Sequence, residues 1–315
     1  MTRFRFLLVF LALGSLLFSQ TILAGTEQGI FRITETGLSL LSLPPQLQIK
    51  ECRKIIKSDI GWFFLTEKGV LFSANLTDFE LRNKNLPIKV LKTFPDNKKQ
   101  LVSVIHELKD LEFDPYNHAT MITCTKDEAF ISYDAGLTWT GIGNPSDSNG
   151  IKAVAIFSKP KLTVLLSSSI RGLFSKELPK GTWKAAAGTF SRSCPTTSPD
   201  EIADIQIQAA ETGTQIWAVN SFLPSVYRAS GTELKFERVY SAALDFFSLD
   251  SITLSGKGFI AVSDRAILRF SPETGFSPAK DEQSLLSALQ ARLPAGLLCV
   301  RSEEHTSELQ SRQVI

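Results

Sequence analysis

Histidine is scarce in this chain: three in 315 residues, at positions 106, 118 and 305. So little imidazole leaves almost no material for a histidine-based metal centre or a serine–histidine relay. Cysteine is scarce as well. Cys52, Cys124, Cys194 and Cys299 are widely spaced, with no Cys-x-x-Cys pair of the kind that holds structural zinc. Neither charge sign dominates, since 34 Lys and Arg face 32 Asp and Glu for a net charge of +2. That balance supplies no basic field for a nucleic acid. The one basic cluster, Lys89, Lys92, Lys98 and Lys99, surrounds a Pro-Asp-Asn turn and reads as a solvated loop. A Gly-rich phosphate loop, a serine elbow and a zinc-helix motif are all missing. Beyond residue 18 no apolar run approaches the roughly 20 residues that cross a bilayer.

What is present begins with an export signal. Arg3 and Arg5 precede an uncharged apolar run over residues 6–18, which reads as a signal peptide over residues 1–19. Cleavage is expected near Ser19 or Gln20; a cut after Ala24 would sever residues 21–26, which read as a strand. The expected location is therefore periplasmic or extracellular, with an uncleaved N-terminal anchor as the alternative. Export permits disulfides, and the pairing of Cys52, Cys124 and Cys194 stays open, although Cys124 lies in an apolar run and reads as a small buried hydrophobe.

The body of the chain is repetitive. A small residue followed by two or three apolar ones and then a polar one recurs six times. The copies are Gly29-Ile30-Phe31-Arg32, Gly69-Val70-Leu71-Phe72-Ser73, Ala129-Phe130-Ile131-Ser132, Gly172-Leu173-Phe174-Ser175, Ser225-Val226-Tyr227-Arg228 and Ala266-Ile267-Leu268-Arg269. They are spaced by roughly 40–50 residues with two longer gaps, the period of propeller blades. A second apolar run precedes most copies (residues 121–125, 162–166, 216–219 and 259–262). A third lies further upstream, as at residues 153–157 and 203–207. Short β-rich runs separated by turn residues predict an all-β meander. Helical spacing is confined to Leu285, Leu286, Leu289 and Leu293.

One copy leads into a more specific phrase. Ser132-Tyr133-Asp134-Ala135-Gly136-Leu137-Thr138-Trp139 resembles the Asp-box S-x-D-x-G-x-T-W, with Ser132, Asp134, Gly136, Thr138 and Trp139 at its defined positions. It follows Asp114-Pro115-Tyr116-Asn117, which resembles the blade openings of sortilin-like and photosystem-assembly-type propellers. Gly181, Thr182 and Trp183 resemble a degenerate box without its aspartate, and residues 72–79 a more worn one. The resemblance to the Asp-box (BNR-repeat) β-propeller superfamily spans about residues 21–275. It implies six or seven four-stranded blades over residues 20–280, with each box a rim hairpin between the third and fourth strands. Asp134 would then accept turn N–H groups, Gly136 would allow positive φ, and Trp139 would plug the gap between blades.

Residues 301–311 resemble the translation of a sequencing adapter, so residues 301–315 read as a non-native tail. Residues 281–300 are expected to be a helical linker or the start of a lost C-terminal domain. Carboxylate pairs such as Asp110 with Glu112 and Asp127 with Glu128 read as adjacent loop charges in solvent, and no acid and nucleophile pair stands out. The functional expectation is an exported, monomeric, non-catalytic scaffold without metal or cofactor, binding protein or glycan at its channel face. The alternative is the N-terminal accessory propeller of an exported glycoside hydrolase whose catalytic domain follows residue 300.

Overall fold

The computed structural model describes residues 22–34, 37–93, 99–146, 149–169, 171–188, 190, 201–210, 213–220, 225–241, 249–255, 258–263, 267–280 and 297–302. Among them are 27 strands and a single 3-10 turn at Pro45–Leu47. The strands form six radial sheets around an axis, a six-bladed β-propeller. Counted outward from the axis, blade 2 is Cys52–Ser58, Gly61–Thr66, Gly69–Ser73 and Glu80–Leu81. Blade 3 is Asp110–Asp114, Asn117–Cys124, Ala129–Ser132 and Thr140–Gly143, and blade 4 is Ile151–Phe157, Thr163–Ser168, Gly172–Glu177 and Lys184–Ala185. Blade 5 is Ile202–Ala210, Gly213–Asn220, Ser225–Ser230 and Lys235–Ser241, with Ala187–Gly188 added in parallel on its outer edge. Blade 6 is Leu249–Ser255, Gly258–Ser263, Ile267–Ser271 and Gly275–Pro278.

The recurrent phrase occupies the third strand of each blade. In blade 1 that strand is Gly29–Thr34, flanked by Ile22–Thr26 and Gly37–Leu40. Its inner strand is Leu297–Ser302, from the other end of the chain, paired antiparallel so that Leu23 meets Arg301 and Ala24 meets Val300. A propeller boundary at residue 280 therefore stops one strand short of the closed ring. Of the residues 281–300 expected as a helical linker, 281–296 lie outside the described residues and 297–300 belong to this strand. Arg301 and Ser302, which belong to the adapter-like run, take part in the pairing through their backbones.

Middle strands are pressed between neighbouring blades, so they are apolar on both faces and do not alternate. Gly61–Thr66 and Thr163–Ser168 are buried at every position. Five apolar clusters fill the gaps between successive blades from 1 to 6. The largest fully buried side chains in them are Trp139 and Trp217, both about 1% exposed. A fully buried side chain of this kind contributes about 1.5–3 kcal/mol or more by its removal from water. The longest gap between phrases holds an insertion. It contains a separate two-stranded ribbon, Ile88–Thr93 with Gln100–Ile105, so that Lys89 and Lys92 of the basic cluster read as a solvated loop lie on a strand.

Candidate functional site at the propeller axis

The inner strand of blade 3 reads Asp110-Leu111-Glu112-Phe113-Asp114. Alternation along the strand sends Leu111 and Phe113 into the core shared with blade 2 and turns the three acids the other way. Blade 2 answers with Lys54. Its Nζ lies 2.5 Å from Asp110 Oδ1 and 2.6 Å from Glu112 Oε1, and these three side chains are only 13%, 9% and 17% exposed. Glu112 Oε1 also accepts a hydrogen bond from Gln206 Nε2 of blade 5 at 3.2 Å. One carboxylate oxygen thus joins three blades across the axis. Asp110 and Glu112 are not the solvated loop charges that their sequence suggested, because regular strand geometry carries them into the centre of the ring.

Inner-strand aspartates tie blade 3 to blade 4 and blade 5 to blade 6. Asp110 Oδ1 accepts from Leu111 N at 2.8 Å, and its Oδ2 accepts from Val154 N of blade 4 at 3.0 Å. Asp204 repeats this in blade 5, accepting from Ile205 N at 2.7 Å and from Ile252 N of blade 6 at 2.8 Å. Asp114 Oδ1 reaches Ser158 N of blade 4 at 3.2 Å. Backbone donors on the ring's inner wall are thereby satisfied by buried carboxylates.

Three carboxylates, Asp110, Glu112 and Asp204, share one ammonium. Burial works against the charge on Lys54, but Asp110, Glu112 and Asp204 outweigh it and hold its pKa far above the usual lysine value. Burial raises Glu112, with Asp110 adding to the effect and Lys54 opposing it. Burial also raises Asp204 to about 7, against the pull of Lys54. Removing one partner from such a buried set leaves an uncompensated charge. With Lys54 filling the space between the acids, the arrangement suits a brace better than an acid and base pair that must meet a substrate. Burial lifts the Cys124 thiol too; Cys124 is free and buried, and Cys52 is buried. Cys194 lies outside the described residues. No grouping of His, Cys, Asp and Glu able to hold a metal ion occurs among the described residues.

Ser132, Asp134, Gly136, Thr138 and Trp139 lie away from the axis, at the turn between the third and fourth strands of blade 3. Asp134 Oδ1 accepts from Thr138 N at 2.8 Å and from the Ser132 hydroxyl at 2.7 Å, and Oδ2 accepts from the Thr138 hydroxyl at 2.6 Å. Burial pushes the Asp134 carboxyl up, but these bonds together outweigh it and hold the group below the usual range. Gly136 sits at φ +83°, where a Cβ would come within 3.3 Å of the Trp139 ring. The Trp139 indole plugs the gap between blades 2 and 3 and donates from Nε1 to Arg82 O at 2.8 Å. In the corresponding turn of blade 2, Asn75 Oδ1 accepts from Thr77 N and Asp78 N, both at 2.9 Å. In blade 4, Gly181 N donates to Glu177 O at 2.7 Å, Thr182 is exposed, and Trp183 packs half-buried against the core between blades 3 and 4.

Sequence reasoning missed Lys54, Asp204 and Gln206. The available signal was positional: Asp110-Leu111-Glu112 and Asp204-Ile205-Gln206 both place two polar residues around one apolar residue on an inner strand.

No protein-family profile and no curated protein matches the chain. Solved structures do, as folds. The extracellular domain assigned to a hybrid two-component system of B. thetaiotaomicron aligns with a TM-score of 0.58 at 11% identity, over 84% of this chain and 32% of that one. The GH74 xyloglucanase of Xanthomonas campestris aligns at 0.52 and 12% identity, over 82% and 43%. The β-propeller domain of Myceliophteria thermophila Cps50 (Swd1) aligns at 0.54 and 10% identity, over 81% and 80%. The shared feature is the β-propeller. This chain spans about a third of that extracellular domain and less than half of the xyloglucanase.

Proposed function

We propose that the chain is an exported, non-catalytic β-propeller scaffold of the cell envelope that binds protein or glycan through the loops around its axial channel. The observation that carries this reading is the engagement of the axial carboxylates. Asp110, Glu112 and Asp204 are tied to Lys54, Gln206 or backbone N–H groups, so the centre of the ring serves cohesion and recognition falls to the loops. A depression of about 330 Å³ on blade 5, lined by Arg228, Lys235, Glu233 and Glu237 among others, has no aromatic ring in its lining. Sugar rings are commonly held by stacking, which favours a protein partner at that place. Extracellular domains among the structural neighbours support an exported setting.

The accessory-propeller reading draws support from the glycoside hydrolases among those neighbours, whose chains continue well beyond the aligned part. One experiment addresses both readings. The immobilised chain is offered a glycan array and a fraction of envelope proteins, and the same chain is assayed for hydrolysis of β-glucans. Saturable capture without hydrolysis is the expected result; turnover of a glycan by this chain would overturn the non-catalytic assignment.

A further inference from the structure

We propose that the ribbon inserted between blades 2 and 3 is a docking element for an anionic lipid bilayer. Ile88–Thr93 and Gln100–Ile105 pair with each other and belong to no blade. His106 N donates to Pro87 O at 2.9 Å and closes the ribbon's base. A two-stranded ribbon is marginal in water unless something covers it. The register places Ile88, Val90 and Leu101 on one face, and these are 62%, 58% and 61% exposed. The opposite face is better covered, with Val102 and Val104 half-buried and Leu91 exposed. Large aliphatic side chains left in water on one sheet face mark a binding surface.

Charge and area identify the occupant. The described ribbon residues include Lys89, Lys92 and Lys99 and no acid, and all three lysines are exposed. Lys92 shares the aliphatic face, directly opposite Leu101. Such a surface repels a second copy of itself and complements an anionic one. Two six-residue strands offer a face of roughly 20 by 10 Å, far below the roughly 800 Å² per partner of a stable protein interface. A bilayer needs no matching pocket. Its headgroup region takes aliphatic side chains at shallow depth and adds about fivefold in affinity for each lysine near the surface. The proposal is separate from the scaffold reading, because the ribbon can hold a bilayer whatever the loops bind.

The test is sedimentation of the full chain with vesicles of phosphatidylglycerol and phosphatidylethanolamine, set against phosphatidylcholine vesicles. The residue 6–18 segment is common to all variants, so differences between them isolate the ribbon. Wild type is expected to partition onto the phosphatidylglycerol vesicles at least about tenfold better, and to lose that preference in high salt. The triple variant Lys89→Gln, Lys92→Gln, Lys99→Gln changes only exposed side chains and should lose about a hundredfold, from about fivefold per lysine. Val90→Ser with Leu101→Ser should weaken binding to both vesicle types, with unchanged circular dichroism. Variants that sediment like wild type would overturn the proposal. So would a dimer seen by light scattering that Val90→Ser with Leu101→Ser dissolves in the absence of vesicle binding.

Discussion

Glu112 and Gln206 meet across the propeller axis. The Gln206 amide donates to Glu112 Oε1 at 3.2 Å although blade 4 lies between their strands. Because the same oxygen holds Lys54 at 2.6 Å, blades 2, 3 and 5 are cross-linked at the centre by charge rather than by apolar packing. A buried ion pair of this sort is costly to break from one side only, and that asymmetry makes the brace testable.

Lys54→Met keeps length and removes charge, leaving Asp110, Glu112 and Asp204 without their cation. At pH 8 the loss of stability should be about 3–5 kcal/mol, the usual range for breaking a buried pair. At pH 5 it should shrink, because Glu112 and Asp204 can then take up protons. Urea unfolding at the two pH values measures both quantities. A loss below about 1 kcal/mol at pH 8 would mean that solvent, not Lys54, compensates the acids.

The raised pKa of Asp204, about 7 against an ordinary 3.8, fixes a sign. Between those values the folded protein holds a proton that the unfolded chain has released. Stability from this group is therefore greatest at the acid side of that window and declines as pH rises through 7. The melting temperature of wild type should fall from pH 5 to pH 8, each kcal/mol corresponding to about 2–4 °C. Asp204→Asn should start lower, having one acceptor oxygen for the Ile205 and Ile252 N–H groups, but should show a flatter profile. Parallel profiles for the two proteins would place the titrating group elsewhere.

Trp139→Ala should destabilise the fold by about 3–5 kcal/mol, as expected for a large buried aromatic. Asp134→Ala should cost about 1–2 kcal/mol through the turn bonds to Ser132 and Thr138 that it gives up. Calorimetry gives both numbers. Binding measured well below the lowered melting temperatures should survive, since the box lies away from the axis. Loss of binding by Asp134→Ala at unchanged stability would assign the box to the working surface.

Ring closure can be tested by truncation. A chain ending at Ser302 keeps the inner strand of blade 1, whereas a chain ending at Gly296 exposes the edge of Ile22–Thr26. The shorter chain should melt lower by several degrees and self-associate, because an unpaired strand edge recruits other chains. Equal melting temperatures and equal mass by light scattering would show that Leu297–Ser302 contributes nothing to cohesion.

The sequence by itself determined the all-β class, the recurrent third strand of each blade, and the turn at Ser132 to Trp139. These are local properties: short apolar runs between turn residues, glycine at positive φ and side-chain capping all act within about ten residues. It left the blade number between six and seven and put the propeller's end at residue 280. The strand that completes blade 1 pairs with residues some 275 positions earlier, a relationship that no local pattern carries. The axial site was illegible for the same reason. Lys54 and Asp110 are 56 residues apart, and Glu112 and Gln206 are 94 apart. Only closing the ring brings those inner strands together, and only there does exclusion of water turn four ordinary charged residues into one coupled network.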